Sequence, residues 1–222
     1  MRYFLALLHK DLLVGWRGRV RLVGLGTYAL TLLLLFSFAV GPDTMALRDH
    51  ASAYLWLAIM SSSTLLLAQS FQQEVEAGAI EGLILLPVPP PALYYAKALA
   101  NLLLLLFLAV VMLPVSMVLF DLDISGSLLT LLLVIILGSA GIVAPGTLYA
   151  AMTARLSSQQ VVLPLLLFPL VVPPILAAVK ATDLVLEGDA MGQLPAWIGL
   201  LVAFDAIYWS LSGLLFGKVL DE

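Results

Sequence analysis

The chain has 222 residues, of which 63% are hydrophobic and only 11% are charged. Soluble domains are about 45–50% apolar and about 25% charged, so the charged side chains here are too few to form a water-exposed surface. This composition excludes an ordinary soluble enzyme, a disordered chain, and a protein that binds nucleic acid through a basic surface. Together with a mean hydropathy of +1.11, it indicates a protein that crosses a membrane several times.

The first 17 residues predict an amphipathic helix that lies in the membrane surface. They are not a signal peptide, because His9, Lys10 and Asp11 interrupt the apolar run and no small-residue cleavage site follows. At 100° per residue, two arcs separate: a basic one (Arg2, His9, Lys10, Arg17) and an apolar one (Phe4, Leu5, Leu8, Leu12, Trp16). We expect the basic arc to face anionic lipid headgroups, and Asp11 is the exception on the apolar side. The alternative is a plain cytoplasmic extension of the first span.

Six continuous apolar stretches follow, each about as long as the ~20 residues that a helix needs to cross the hydrocarbon core. No alternation typical of an outer-membrane barrel is present, so the predicted fold is an all-α membrane protein with six transmembrane helices. The predicted spans are residues 22–40, 52–70, 97–120, 128–152, 161–179 and 196–216. The very short connection 121–127 predicts a tight hairpin between the third and fourth spans.

The distribution of basic residues predicts that both termini are cytoplasmic. Six spans put the termini on one side, and that side carries eight basic residues: Arg2, Lys10, Arg17, Arg19, Arg21, Lys97, Arg155 and Lys218. The opposite side carries two, Arg48 and Lys180. Cytoplasmic loops of membrane proteins carry the excess of Lys and Arg, which fixes the orientation.

The connection at residues 71–91, between the second and third spans, combines an acidic helix with a proline-rich stop. Glu74 and Glu81 are seven residues apart and so share a helical face, while Phe71, Val75, Gly78 and Gly82 share another. The glycines predict a flat patch for a partner's surface. Pro87, Pro89, Pro90 and Pro91 predict an extended, stiff segment after the helix. Two alternatives are a solvated loop and a cap that packs under the bundle.

Several features have both a structural and a functional interpretation. The prolines at 145, 164, 169, 173 and 174 are expected to interrupt the fourth and fifth spans, as hinges, as a cavity wall, or as tolerated kinks. Asp205 lies within the last span, either as a proton or ligand site or as a protonated or hydrogen-bonded side chain. His50 has two interpretations, as an axial ligand of a metal-bearing cofactor or, as is more common for one histidine in a short loop, as an interface residue. With no cysteine and two histidines, thiolate and multi-histidine metal centres are excluded.

Three blocks of residues resemble the heme exporter B family, and because the length, the six spans and the N-terminal surface helix also match, the resemblance extends over the whole chain. The blocks are Phe71-x-x-Glu74 with Gly78-x-x-Glu81-x-Leu83, Leu85-Leu86-Pro87-x-Pro89 and Lys97; Ala144-Pro145-Gly146; and Leu163-Pro164 with Pro169 and Pro173. Members of this family are the permease subunits of the ABC transporter that serves bacterial cytochrome c maturation. Asp205 and the triple proline 89–91 depart from the family's pattern.

The resemblance implies that residues 1–222 form one type-2 ABC permease domain, with residues 71–91 as a cytoplasmic coupling helix. Phe71, Glu74, Gly78, Glu81 and Pro87 would contact the ATP-binding subunit. Pro145, Gly146, Pro169 and Pro173 would form a hinge or cavity. The function implied is heme export, or ATP-driven release of the heme-loaded periplasmic chaperone. The chain itself would be no enzyme, since it has no phosphate-binding Gly-x-x-x-x-Gly-Lys-Ser/Thr run.

The same resemblance implies the partners and the location. The partners would be an ABC ATP-binding subunit, a heme-handling membrane subunit, a small single-span subunit, the periplasmic heme chaperone and a second copy of this chain. No cofactor would be bound directly; heme would be cargo of the complex, and ATP would bind the partner. The chain would lie in the bacterial inner membrane. Two alternatives are a secondary transporter that uses Asp205 and a structural assembly subunit.

Overall fold

A computed structural model describes residues 2–76, 78, 89–122, 127–156 and 158–221. Within these residues every regular element is an α-helix, so the all-α prediction is confirmed. The helices are α1 (Arg2–Arg17), α2 (Arg19–Val40), α3 (Thr44–Asp49), α4 (Ala51–Glu76), α5 (Pro90–Phe120), α6 (Leu128–Thr153), α7 (Gln159–Glu187) and α8 (Leu194–Asp221).

Six of these helices are long and apolar enough to cross a membrane, which confirms the predicted number of spans. They cover Val20–Val40, Ala51–Gln72, Pro90–Phe120, Leu128–Thr153, Gln159–Glu187 and Leu194–Val219. Each contains a predicted span, and the ranges in α5, α7 and α8 extend well beyond it, because a helix can continue past the apolar run that marks the span. We call the end of the bundle with α1, the end of α4 and the start of α5 the proximal end. The distal end contains α3 and the start of α8.

α4 and α6 form the centre of the bundle, and α2 and α8 lie at its periphery. In the most apolar stretch of each span, 61% of the α4 and α6 residues are buried, against 17% of the α2 and α8 residues. Small side chains allow the close packing of α6: Gly138 faces Trp56 and Ala178, and Gly146 faces Leu67 and Leu167. Such contacts between small residues and large neighbours are expected where helices associate in lipid.

The prolines do not interrupt the spans, contrary to prediction. α6 continues through Pro145, and α7 continues through Pro164, Pro169, Pro173 and Pro174. A proline removes one backbone hydrogen bond, but in hydrocarbon the neighbouring backbone groups have no water to bond instead, so the helix is retained.

The proline run before α5 ends earlier than predicted. Pro89 is extended, with φ −58° and ψ 133°, but Pro90 and Pro91 form the first turn of α5. Proline is favoured at this position because the first N–H groups of a helix have no partner within it and the fixed φ suits the helix.

The helix before the connection also differs from prediction. α4 ends at Glu76, and Gly78 has a φ of +62°, which a right-handed helix does not accommodate. Gly78 therefore does not continue the face of Phe71 and Val75. Gly82, Glu81 and Pro87 lie outside the described residues.

α1 is a helix of its own and not a simple continuation of α2. Gly18, with φ −75° and ψ 45°, separates the two helices. α1 packs mainly against α5, and Gly15 of α1 lies against Leu104 of α5.

Candidate functional site

Four charged side chains meet at the proximal end, where α1, α4 and α5 come together. Glu74 Oε1 lies 2.7 Å from Lys97 Nζ and 2.8 Å from Lys10 Nζ. Asp11 Oδ1 lies 3.1 Å from Lys10 Nζ and 3.7 Å from Lys97 Nζ. We call Lys10, Asp11, Glu74 and Lys97 the proximal cluster. It joins the two ends of the connection 77–89 to α1.

The proximal cluster is largely buried and its charges balance. The side chains of Lys97, Glu74 and Asp11 are 7%, 11% and 13% exposed, whereas that of Lys10 is 43% exposed. Burial by itself acts to raise the pKa of Glu74, but the charges and hydrogen bonds of Lys97 and Lys10 outweigh it and lower that pKa. Burial likewise acts to lower the pKa of Lys10, and its hydrogen bond to Glu74 and the charge of Asp11 outweigh it and raise that pKa. Each ion therefore depends on its partners.

Phe71 contacts the proximal cluster through Lys97. Its side chain is buried, and Lys97 Nζ lies 4.8 Å from the centroid of its ring, within the range of a cation–π contact. Phe71 and Glu74, two of the predicted partner-contact residues, therefore face other helices of their own chain. Their contact with a partner stays a prediction, and their observed role is to hold the end of α4 against α1 and α5.

Gly78, a third predicted contact residue, is exposed. Its N–H donates to the carbonyl of Val75 at 3.0 Å, and a Cβ on it would meet nothing within 4 Å. Glu81 and Pro87, the remaining two, lie outside the described residues.

Two further side chains, Lys97 and Asp11, complete the proximal cluster, and their ion pairs were not predicted from the sequence. In the sequence, Lys97 is a charge at the edge of a span and part of the first family block, and Asp11 is an exception on an apolar arc. Both positions are informative in retrospect, because a charge in an apolar setting requires a partner. The expectation that Lys10 faces lipid headgroups stays a prediction; the structure adds that Lys10 Nζ donates to Glu74 Oε1 at 2.8 Å.

A second contact fixes the same end of α4 to two other helices. Gln159, at the start of α7, donates through Nε2 to the carbonyls of Ala68 in α4 and Ala150 in α6, both at 3.3 Å. The side chain is buried. Because leaving a buried amide unpaired is energetically costly, these two hydrogen bonds couple the proximal ends of α4, α6 and α7.

Two buried hydrogen bonds connect α5 to the middle of α6. The Tyr94 hydroxyl donates to the carbonyl of Ala144 at 2.9 Å, and Asn101 Nδ2 donates to Thr147 Oγ1 at 3.2 Å. These bonds lie on either side of Pro145.

The four predicted hinge or cavity residues fall into two environments. Pro145 and Gly146 are buried within α6, and a Cβ on Gly146 would contact Leu67 and Leu167. Pro169 and Pro173 are exposed on the outer side of α7. The structure therefore does not bring the four together, and a role as a hinge or cavity stays a prediction.

Neither Asp205 nor His50 belongs to the proximal cluster. Asp205 Oδ1 is buried where α8 meets Gly141 and Pro174, and among the described residues it has no hydrogen-bond partner. His50 is exposed, and its ring packs edge-on against Tyr54 with centroids 6.1 Å apart. Within the described ranges no three His, Asp or Glu side chains form a group that could hold a metal ion.

Ion pairs at the distal end are more exposed. Arg48 of α3 pairs with Asp121, which follows α5. Lys180 Nζ lies 3.6 Å from Asp183 on the same helix, and the hydroxyl of Ser52 donates to Asp183.

Comparison with known proteins identifies relatives of this chain. Residues 2–220 match the family described as CcmB protein. The chain is similar to heme exporter protein B of Rhodobacter capsulatus, with 32% identity over 187 residues, 84% of this chain and 85% of the relative. It is also similar to the proteins of that name from Bradyrhizobium diazoefficiens, 29% identical over 184 residues (82% of each chain), and Pseudomonas aeruginosa, 28% identical over 200 residues (90% of this chain and 89% of the relative).

Proposed function

Because the chain belongs to the CcmB protein family, we propose that it is the membrane permease subunit of an ABC transporter complex for heme export and cytochrome c maturation. The name of its relatives, heme exporter protein B, supports the cargo. The chain is the non-catalytic part of the complex, and a partner subunit hydrolyses ATP. The transported or released species is heme, or the heme-loaded periplasmic chaperone.

The proximal cluster is the observation that carries the proposed coupling role. Glu74 and Lys97 lie on the two helices that flank the connection 77–89 in the sequence, and they are joined to each other at 2.7 Å and to α1. A force applied by the ATP-binding subunit to this connection reaches α1, α4 and α5 together, because a buried ion pair resists separation of its members. The connection thus acts as a coupling segment.

Hydrogen bonds beyond the cluster give the movement a route to the centre of the bundle. Gln159 links α4 to α6 and α7, and Tyr94 links α5 to Ala144 of α6. Displacement of α4 or α5 therefore displaces α6, whose buried Pro145 and Gly146 are the candidate hinge.

The proximal end faces the cytoplasm in this proposal. Eight of the ten basic residues belong to that side, including Arg21, Lys97, Arg155 and Lys218. Both termini are then cytoplasmic, α1 lies in the surface of the bacterial inner membrane, and the distal end faces the periplasm.

The complex contains further subunits in addition to the ATP-binding one. They are a heme-handling membrane subunit, a small single-span subunit and a second copy of this chain, and the periplasmic heme chaperone binds to the assembly. The chain holds no cofactor of its own. The peripheral positions of α2 and α8 leave apolar surface for these contacts.

A matched pair of glycine variants tests the coupling role. Gly78 and Gly192 have similar positive φ values, +62° and +65°, and a Cβ on either meets nothing within 4 Å. Tryptophan therefore causes similar backbone strain at both, but only Gly78 belongs to the proposed contact. We expect Gly78→Trp to abolish co-purification with the ATP-binding subunit or membrane-dependent stimulation of its ATPase, and Gly192→Trp to leave both unchanged.

Three outcomes separate this proposal from its alternatives. Unchanged association and ATP turnover in Gly78→Trp, and in Glu81→Lys, would remove the contact assignment. Transport that needs no ATPase partner but is lost in Asp205→Asn would instead support a secondary transporter. Cytochrome maturation that survives an inactive ATPase would indicate a structural assembly subunit.

A further inference from the structure

A groove opens beside the proximal cluster, between α1, α2, α4 and α5. Its outer part has a volume of about 220 Å³ and is lined by Arg21, Ser70 and Lys97, among others. An inner apolar part of about 200 Å³ continues from it. Leucine side chains from α2, α4 and α5 line both parts: Leu22, Leu25, Leu66 and Leu104. The groove is thus polar at one end and apolar at the other.

The polar end carries one uncompensated positive charge. Lys10 and Lys97 line it, but their charges are matched by Asp11 and Glu74. Arg21 also lines it and forms no ion pair with any of the described residues. A half-buried guanidinium beside a balanced cluster favours an anionic ligand, and its planar donors suit phosphate oxygens.

A hydroxyl donor lies in the same part of the groove. Ser70 Oγ is buried and has no hydrogen-bond partner among the described residues, although Ser70 lines the groove. A buried hydroxyl without a partner is energetically unfavourable. An acceptor oxygen from a ligand in the groove satisfies it.

The apolar end matches the depth of one lipid leaflet. Gly26, Phe107 and Val111 line it. Between Asn101 at the polar end and Val111, α5 rises by about 15 Å, or about half of the ~30 Å hydrocarbon core. If the phosphate of a phospholipid lies at Arg21, one of its acyl chains is therefore long enough to extend along these apolar side chains.

We propose that this groove binds one anionic phospholipid. Its phosphate accepts hydrogen bonds from Arg21 and Ser70, and one acyl chain lies along Leu25, Leu104 and Phe107. The bound lipid fills the space between α1 and the spans, and so fixes α1 next to Glu74. The site does not depend on the transport function proposed above.

Native mass spectrometry of the full-length chain in a neutral detergent tests the site. Phosphatidylglycerol and phosphatidylcholine are each titrated against the chain. We expect one phosphatidylglycerol to be retained per chain at about a tenfold lower concentration than phosphatidylcholine. Arg21→Gln should remove this preference, because a single cation near an anionic headgroup accounts for a factor of that order. Arg21→Lys should keep most of it.

Two further variants control for position and folding. A Cβ on Gly26 meets only Leu108 Cδ1, at 3.9 Å, so Gly26→Leu places a side chain in the apolar part without a backbone clash. It should reduce retention of both lipids at least fivefold. Arg48→Gln removes a distal cation and should change nothing. An unaltered thermal unfolding midpoint identifies the variants that remain folded.

Three results would overturn the proposal. The first is equal retention of phosphatidylglycerol by the unmodified chain and by folded Arg21→Gln. The second is unaffected binding in Gly26→Leu, which would show that no acyl chain enters the groove. The third is displacement of the lipid by soluble glycerophosphoglycerol at comparable concentration, which would indicate a site for a free phosphate ester.

Discussion

The two ends of the bundle use the same kinds of charged residue in different surroundings. At the proximal end, Lys97 pairs with Glu74, and the two side chains are 7% and 11% exposed. At the distal end, Arg48 pairs with Asp121, and the two side chains are 47% and 72% exposed. The difference is burial and not chemistry. Buried charges lose much of their hydration and depend on each other, whereas exposed charges remain hydrated when their pair breaks.

This difference has a consequence for how movement passes through the chain. The proximal cluster connects three different helices, α1, α4 and α5, so its members move together. The distal pairs connect α3 to the residue that follows α5, or two neighbouring turns of α7. We therefore expect the proximal end to behave as one body and the distal end to adjust more easily to a partner.

Lys97→Met should give the largest loss of stability. It removes the closest partner of Glu74 and leaves that buried carboxylate with Lys10 alone, at a cost of about 2–3 kcal/mol. Thermal unfolding of the detergent-purified chain, followed by the fluorescence of its four tryptophans, should show a midpoint lower by several degrees. Combining it with Glu74→Gln should recover part of the loss, since the uncompensated charge is then gone. A double variant that is the sum of the two single variants would contradict the pairing.

Acid should weaken the proximal end through Glu74. The pKa of Glu74 is lower in the folded chain than its ordinary value of 4.5, so the folded state binds fewer protons and gains stability from ionised Glu74 above that value. This contribution is lost as the pH falls below about 4.5 and through the folded-state pKa. Unfolding midpoints are measured from about pH 6 down to about pH 3.5. They should fall more steeply with decreasing pH for the unmodified chain than for Glu74→Gln. Parallel curves would remove Glu74 as the cause.

Lys10→Gln should have an intermediate effect. Lys10 contacts both anions of the cluster, but its side chain is 43% exposed, so water screens its charge and the cost is about 1 kcal/mol or less. The same unfolding assay measures it. A loss equal to that of Lys97→Met would mean that Lys10 is more deeply desolvated than its exposure indicates.

Arg48→Gln at the distal end should have the smallest effect, below about 0.5 kcal/mol. Added salt should reduce even that difference, because exposed ion pairs are screened. If Arg48→Gln and Lys97→Met shift the midpoint equally, the contrast between the two ends is wrong.

The spans were predictable from the sequence, whereas their ends were not. A run of about twenty apolar residues has one stable arrangement in lipid, since only a helix satisfies the backbone within the segment. Helix ends beyond the longest apolar runs, such as residues 90–96, carry no such constraint, and Pro90 and Pro91 were assigned to an extended segment although they begin α5. Proline is compatible with an extended segment and with the first turn of a helix, and the residues that follow it decide which of the two forms.

The candidate site was predicted in its location and only partly in its residues. The charges and glycines between the second and third spans marked the connection, and the resemblance to the family named Phe71, Glu74 and Gly78. The environment of Glu74 could not be predicted, because its partners Lys10 and Lys97 are distant in sequence and belong to different helices. Gln159 was missed for the same reason.

The sequence by itself determined that this chain is an all-α membrane protein with six spans, and its local motifs identified the family. These properties depend on local composition, since the bilayer acts on each segment separately. Only the tertiary structure decided that Lys10 pairs with Glu74, that Asp11 has a cationic partner, and that Glu74 is buried instead of exposed. Such pairings depend on which helices meet, because the free energy of a charge is set by its surroundings and not by its position in the chain.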